Sequence, residues 1–177
     1  MKKRKNIFLS GAPSSGKTTV IKKVVAGLNI PPNRPANGFY TEEERTEGKR
    51  TGFTINTLDG KKGYLAHKDI RSAFRVGSYG VSIENIESIA VPSITPRNNH
   101  VITLDEIGKM ECFSGVFKDA ALKALDSPNI VIGTITRGGD DFIKSIKSRG
   151  DIEIHEVTVK NRDLLPDLIL KKVAGLL

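Results

Sequence analysis

Apolar positions along the chain fall into short continuous runs separated by segments of helical spacing. Asn6 to Ser10 is such a run and reads as a buried strand, and Thr18 to Leu28 repeats Val20, Val24, Val25 and Leu28 along one side, which predicts a helix. Pro31, Pro32 and Pro35 then interrupt the pattern. From Gly38 to Ser82 the period drops to two. Phe53-Thr54-Ile55-Asn56-Thr57-Leu58 alternates and Asp59-Gly60 is a hairpin-turn dipeptide, so residues 37 to 80 read as an antiparallel β insertion. Ser82 can cap a short helix in which Ile83, Ile86, Ile89 and Ala90 share a face and which Pro92 stops.

His100 to Leu104 predicts another buried strand. Phe113, Val116, Phe117, Ala120, Ala121, Ala124 and Leu125 then recur at helical spacing as far as Asp126. Ile130 to Ile135 is a third apolar run, a helix follows from about Asp141, Ile152 to Val159 alternates, and a last helix covers about Leu164 to Leu176. Strands separated by helices of this length imply βαβ units, hence an α/β fold with a parallel sheet whose ligands sit at the carboxyl ends of the strands.

Length and composition narrow the class. The 177 residues suit one domain spanning 1–177, with enough chain to bury a core. No stretch approaches the roughly 20 apolar residues of a membrane span. The basic start is followed only by Ile7-Phe8-Leu9, against about 7–15 apolar residues in a signal peptide. The single Cys112 excludes an internal disulfide and suits a reducing compartment, so the expectation is a cytoplasmic protein. A net charge of +8 brings an anionic partner into consideration, a phosphorylated small molecule, nucleic acid or a membrane surface, but the basic residues are spread out with little aromatic interleaving, so solvated surface is the default and nucleic-acid binding a side reading.

The candidate chemistry begins at Gly11-Ala12-Pro13-Ser14-Ser15-Gly16-Lys17-Thr18, which fits G-x-x-x-x-G-K-[ST]. Glycines at this spacing let backbone N–H groups point at phosphate oxygens, and the following helix offers its positive end. Lys17 would reach the β- and γ-phosphates and the Thr18 hydroxyl would coordinate Mg2+. Asp105 ends the Val101–Leu104 strand, where a neighbour of the first strand delivers a metal-holding acid beside the phosphates. Glu106, one residue further on, can orient and deprotonate an attacking water. Transfer to a bound alcohol has less need of it, so the adjacent pair favours hydrolysis.

GAPSSGKTT, GFYTEEER, LDEIGKME and KNRDLLPD in this chain order resemble the THEP-type nucleoside-triphosphatases, small P-loop proteins of the RecA-like division with an additional catalytic glutamate. DEIGKME is the most specific piece, and the likeness covers almost the full length. It implies a RecA-like parallel sheet flanked by helices and slow, broad Mg2+-dependent hydrolysis of ATP, GTP, CTP and UTP to diphosphate and phosphate. On matching positions Gly11, Ala12, Pro13, Ser14, Ser15, Gly16, Lys17 and Thr18 form the phosphate loop. Val101, Ile102, Thr103, Leu104, Asp105, Glu106, Ile107 and Gly108 form a second nucleotide-contacting stretch, with Thr18 and Asp105 on the metal and Lys17 and Glu106 catalytic. The family loop often carries an extra glycine. Ser14 and Ser15 stand there instead, as in several nucleotide kinases, which keeps a nucleoside or nucleotide kinase as an alternative, with a nucleotide-dependent nucleic-acid-binding protein as a third.

Weaker signals complete the list. Tyr40, Glu42 and Glu43 can reach the nucleotide or edge an acidic hairpin, and Glu44 reads as solvated. Arg137, past the third apolar run, can act as a cis arginine finger or be a loop arginine, and Lys109 can orient the acidic pair. Asn161 reads as a cap of the last helix and Arg162 as a residue able to stack on a base. Cys112 reads as packed and inert, and His67, His100 and His155 lack metal-ligand spacing. A monomer is expected.

Overall fold

The computed structural model describes residues 4–28 and 35–176, and Pro31 and Pro32 lie outside them. β1 (Asn6–Ser10) leads through the phosphate-loop residues into α1 (Lys17–Leu28). Strands β2 (Ala36–Thr46), β3 (Lys49–Thr57), β4 (Lys62–His67), β5 (Arg75–Val76) and β6 (Tyr79–Val81) follow, then helical turns α2 (Ile83–Asn85) and α3 (Val91–Ser93) joined by a π-helical turn, Ile86–Ala90. The chain continues through β7 (Val101–Ile107), α4 (Gly115–Asp126), β8 (Val131–Ile135), α5 (Asp141–Lys147), β9 (Ile152–Glu156) and α6 (Leu165–Leu176).

These strands form one sheet in the order β5-β6-β4-β3-β2-β7-β8-β1-β9. The half from β2 through β7, β8 and β1 to β9 is parallel, with Phe39 opposite Leu104, Thr103 opposite Ile132 and Ile7 opposite Ile132. The other half is antiparallel. The insertion read from the sequence is therefore an extension of the same sheet, because β2 is long enough to pair with β7 at its start and with β3 further on.

Period-two alternation divides the core. Ile7 and Leu9 of β1 pack with Val20, Val24, Leu28 and α6 residues Ile169 and Val173 on one face. Phe8 turns to the other, with Phe39, Leu104, Phe117, Ala121, Ile143 and Ile146. Burying these side chains, the larger ones worth about 1.5–3 kcal/mol each, clamps α1 and α4 to opposite faces and fixes the upper edge where β1, β7 and β8 end. Among the described residues no helix is long and apolar enough to cross a membrane.

Four local expectations change. β7 runs on to Ile107, so Asp105 and Glu106 lie within the strand, at an irregularity between Leu104 and Ile107 in its pairing with β8. Pro92 does not stop the helix capped by the Ser82 hydroxyl: the wider π turn, closed by the Val91 N–H on the Ile86 carbonyl, leaves room for a residue without an N–H in the next turn. α4 begins at Gly115 behind the cap Ser114, and Phe113 belongs to a preceding 3-10 turn, Glu111–Phe113. Val116 is half exposed although it fits the apolar stripe, because it sits in the first turn of α4, ahead of the buried Phe117.

Gly38 is a point where the backbone tolerates no side chain. It has φ +125°, and a Cβ would lie 1.9 Å from the Thr103 carbonyl oxygen of β7. Gly38→Ala should therefore destabilise the protein by about 2–4 kcal/mol, combining backbone strain with separation of β2 from β7. Urea unfolding measures this, and a loss under about 0.5 kcal/mol, the size of a neutral surface change, would show that the strands separate freely here.

Candidate active site

The loop between β1 and α1 is held in shape from both sides. Gly16 takes φ +102°, and a Cβ on Gly11 would meet the Val157 carbonyl at 2.7 Å and the Ser15 hydroxyl at 2.9 Å. The Ser15 N–H donates to the Ala12 carbonyl (3.2 Å) and the Val20 N–H to the Gly16 carbonyl (3.0 Å), which starts the helix. Lys17 folds back over the loop and donates from Nζ to the carbonyls of Gly11 (3.1 Å) and Ala12 (3.0 Å). The Ser15 hydroxyl is buried without a hydrogen-bond partner among the described residues. Such a group costs about 1–3 kcal/mol, and at a helix N-terminus shaped for an anion it is a donor available to a phosphate oxygen.

Asp105 faces this loop. It is 2% exposed, and its carboxylate accepts from the Thr18 hydroxyl (2.8 Å) and from the Thr134 hydroxyl of β8. Burial lifts its carboxyl above the usual range, while hydrogen bonds from Thr134, Thr18 and the Thr41 amide and the charge of Lys17 pull the other way. Asp105 and Glu106 are joined by a cis peptide bond. Glu106 is also raised, first by burial and next by the Asp105 charge, with Lys17 opposing. The Thr18 hydroxyl and the Asp105 carboxylate form a pair of hard oxygen donors beside the loop, a set that fits a magnesium ion retaining waters and phosphate oxygens.

A third carboxyl was not picked out from the sequence. Glu111 is 4% exposed, and its carboxyl is raised well above the usual range by burial and then by the Glu106 charge. Gly108 separates the two: a Cβ there would lie 2.9 Å from Glu111 Oε2 and 3.3 Å from Glu106 Cδ. Its signal was the last letter of DEIGKME. Thr134 and the Thr41 amide were missed as well; a threonine inside the apolar run of β8 was the visible sign of the first.

Val101, Ile102, Thr103 and Leu104 are at most 1% exposed, which leaves no side-chain surface for a ligand; they deliver Asp105 and Glu106 to the edge. Ile107 is likewise in the core. Glu42 pairs with Lys22 of α1, which also lies 4.4 Å over the Tyr40 ring, whereas Glu43 is held by Arg45 and Arg50 on the exposed hairpin. Glu44 accepts from the Tyr64 hydroxyl (3.3 Å) rather than being simply solvated. Arg137 is exposed and paired with Glu156. Lys109 is exposed.

Asn161 does not cap α6. Its side chain bonds the Thr158 amide and the Glu156 carbonyl and so pins the β9–α6 loop, since α6 starts only at Leu165. This brings Arg162 against the phosphate loop, its Cδ 3.3 Å from a Cβ position on Gly16, and Gly16, Thr19, Val20, Lys23, Arg162 and Asp163 line a hollow of about 300 Å³. Cys112 is packed, its thiol pushed up to about 12, first by burial. Among the described residues no group of His, Cys, Asp and Glu is arranged to hold a metal by itself.

A strand, a phosphate-type loop and a helix, with an acid on a parallel strand two places away, define the P-loop class of nucleotide-binding α/β proteins. A family model described as NTPase matches residues 6–170, and the chain belongs to that family. It is 44% identical over 166 residues to the Nucleoside-triphosphatase THEP1 of Thermotoga sp. (strain RQ2), covering 93% of this chain and 92% of the relative. The crystal structure of THEP1 from Aquifex aeolicus superposes with a TM-score of 0.85 at 37% identity, over 95% of this chain and 98% of that one. The solution structure of a human cancer-related nucleoside triphosphatase does so with a TM-score of 0.81 at 35% identity, over 97% and 98%.

The three raised carboxyls depend on pH in the opposite sense to the paired acids Glu43, Asp151 and Glu153, whose carboxyls are lowered. A raised folded-state pKa contributes stability below the unfolded value, 4.5 for a glutamate, that is lost as pH climbs through the folded value. Glu111→Gln removes one such group. It should raise the thermal midpoint at pH 8 and change it little at pH 4, as scanning calorimetry at the two pH values would register. An equal shift at both would mean that Glu111 carries no such linkage.

Proposed function

We propose that the chain is a Mg2+-dependent hydrolase of nucleoside 5′-triphosphates with little base discrimination, acting as a single-domain cytoplasmic monomer. The reading rests on the adjacency of Asp105 and Glu106 opposite Lys17. Residues Gly11 to Thr18 hold the triphosphate through loop amides, the Ser15 hydroxyl and the Lys17 ammonium, which exchanges two carbonyls for phosphate oxygens. Thr18 and Asp105 hold Mg2+, whose chemistry when bound is to neutralise charge on the β- and γ-phosphates. Glu106 accepts a proton from the attacking water; the water oxygen bonds to the γ-phosphorus and the bridging oxygen leaves with the diphosphate. Its raised carboxyl is a better base than an ordinary surface glutamate. Base tolerance is supported by the hollow under Arg162, since a guanidinium stacks on the face of any base.

One observation favours a second reading. A cavity of about 470 Å³ beside the Glu106 strand, lined by Lys109, Phe113, Thr136, Gly138 and Asp140, has room for a phosphate acceptor, as a kinase requires.

Phosphate release from ATP, GTP, CTP and UTP, with and without hydroxyl acceptors, separates the two. The four should fall within about tenfold in kcat/KM, a spread of roughly 1.4 kcal/mol. Lys17→Ala should abolish turnover, and Glu106→Gln should lower kcat by about 10²–10⁴ with nucleotide affinity nearly intact. Turnover only with an acceptor would move the assignment to the kinase. Hydrolysis by Glu106→Gln at the wild-type rate would remove Glu106 as the base.

A further inference from the structure

Strand β2 is tied to β7 over a short length. Their pairing runs from Ala36 opposite Val101 to Phe39 opposite Leu104 and stops one residue before Asp105. Beyond Phe39, β2 continues to Thr46 paired with β3, with Tyr40 opposite Asn56 and Glu42 opposite Thr54. Yet the Thr41 amide, in the part of β2 that has left the β7 ladder, is one of the donors to the Asp105 carboxylate. A strand that has parted from its neighbour needs another restraint to keep such an amide in place.

The restraint comes from α1. Thr18 and Lys22 are one helical turn apart and share a face. The Thr18 hydroxyl donates to Asp105 (2.8 Å). One turn on, the Lys22 ammonium is paired with the Glu42 carboxylate and lies 4.4 Å from the centre of the Tyr40 ring. Tyr40 and Glu42 flank Thr41 and, by the alternation of a strand, project to the same side of β2. A single lysine therefore grips both neighbours of the residue whose amide reaches Asp105, and it does so from the helix whose first turn bonds the same carboxylate. The next acid of β2 behaves differently: Glu43 pairs with Arg45 and Arg50, within the hairpin itself.

Resting on the reading of Asp105 as a metal ligand, we propose that Lys22 is a positioning residue: through Glu42 and Tyr40 it latches β2 onto α1, holds the Thr41 amide against Asp105 and so fixes the carboxylate for the metal. Lys22 touches neither nucleotide nor metal in this arrangement. Without the amide, the Thr18 and Thr134 hydroxyls are left to orient the carboxylate, and it turns more freely.

The test compares Lys22→Met, which keeps the length of the side chain without its charge, with Lys22→Arg, which keeps the charge, and with Glu42→Gln, which removes the partner. In the metal-free protein, amide hydrogen exchange followed by NMR should quicken at Thr41 about three- to tenfold in Lys22→Met and in Glu42→Gln. The amides of Phe8 in β1 and Ile132 in β8 should keep their wild-type rates, because a half-exposed pair contributes little to global stability. The Mg2+ concentration for half-maximal ATP hydrolysis should rise about three- to fivefold in both variants, with kcat at saturating Mg2+ unchanged. Lys22→Arg should restore both readings, and adding Glu42→Gln to Lys22→Met should change little further, since the two side chains act as one contact. Wild-type exchange at Thr41 in Lys22→Met, exchange quickened equally in β1 and β8, or an unchanged Mg2+ requirement overturns the proposal. If Asp105→Asn binds the magnesium complex of ATP as wild type does, the reading of Asp105 fails instead, and exchange at Thr41 then decides by itself whether Lys22 holds β2.

Discussion

Asp105 is a carboxyl that the fold buries against hydroxyls and an amide, and four elements converge on it. Thr18 brings α1, Thr134 brings β8, the Thr41 amide brings β2, and Asp105 itself stands on β7. A carboxylate this deep is tolerable only while those donors surround it. The order β2-β7-β8-β1 supplies them, because it places the ends of adjacent parallel strands side by side and starts α1 directly above. The close passage of Gly38 against β7 brings β2 within reach.

The charge pattern follows from the same arrangement. The chain is basic overall, at +8, yet it gathers Asp105, Glu106 and Glu111 at the end of one strand. A bare triphosphate placed in the loop would be attracted by Lys17 and the amides and repelled by these acids. The conflict disappears when a divalent cation arrives with the phosphates, so on the proposed reading the acids select the metal complex of the substrate. Burial raises the Glu106 and Glu111 carboxyls alike, and the Glu106 charge adds to the cost of ionising Glu111.

Much of this was legible in the sequence because the periodicities were strong. β1, α1, β8 and α6 lie within a residue or two of where apolar spacing put them, β3 starts four residues ahead of the alternating run, and the phosphate-loop spacing and the Asp105–Glu106 pair marked the site. What stayed hidden depended on partners distant in the chain. Glu111 carried no reading in the sequence, because only the fold sets its carboxyl beside Gly108. Thr134 looks like one more β-branched strand residue until β8 lies beside β7. Asn161 carries a capping residue's identity, but its bonds go back to Glu156 and Thr158. Pro92 fits a stop signal, which a π turn circumvents. In the last three cases a local preference was overridden by tertiary geometry.

The central claim is that the buried Asp105 carboxylate couples the phosphate loop to the metal. It is tested most directly by calorimetric titration of ATP with and without Mg2+ into wild type and Asp105→Asn. The account expects wild type to bind the magnesium complex much more tightly than free ATP. In Asp105→Asn, folded and with Thr18 intact, that difference should collapse to within a few-fold because the charge that holds the metal is gone. If Asp105→Asn keeps the full magnesium dependence of wild type, the metal is held elsewhere and Asp105 is only a structural acid.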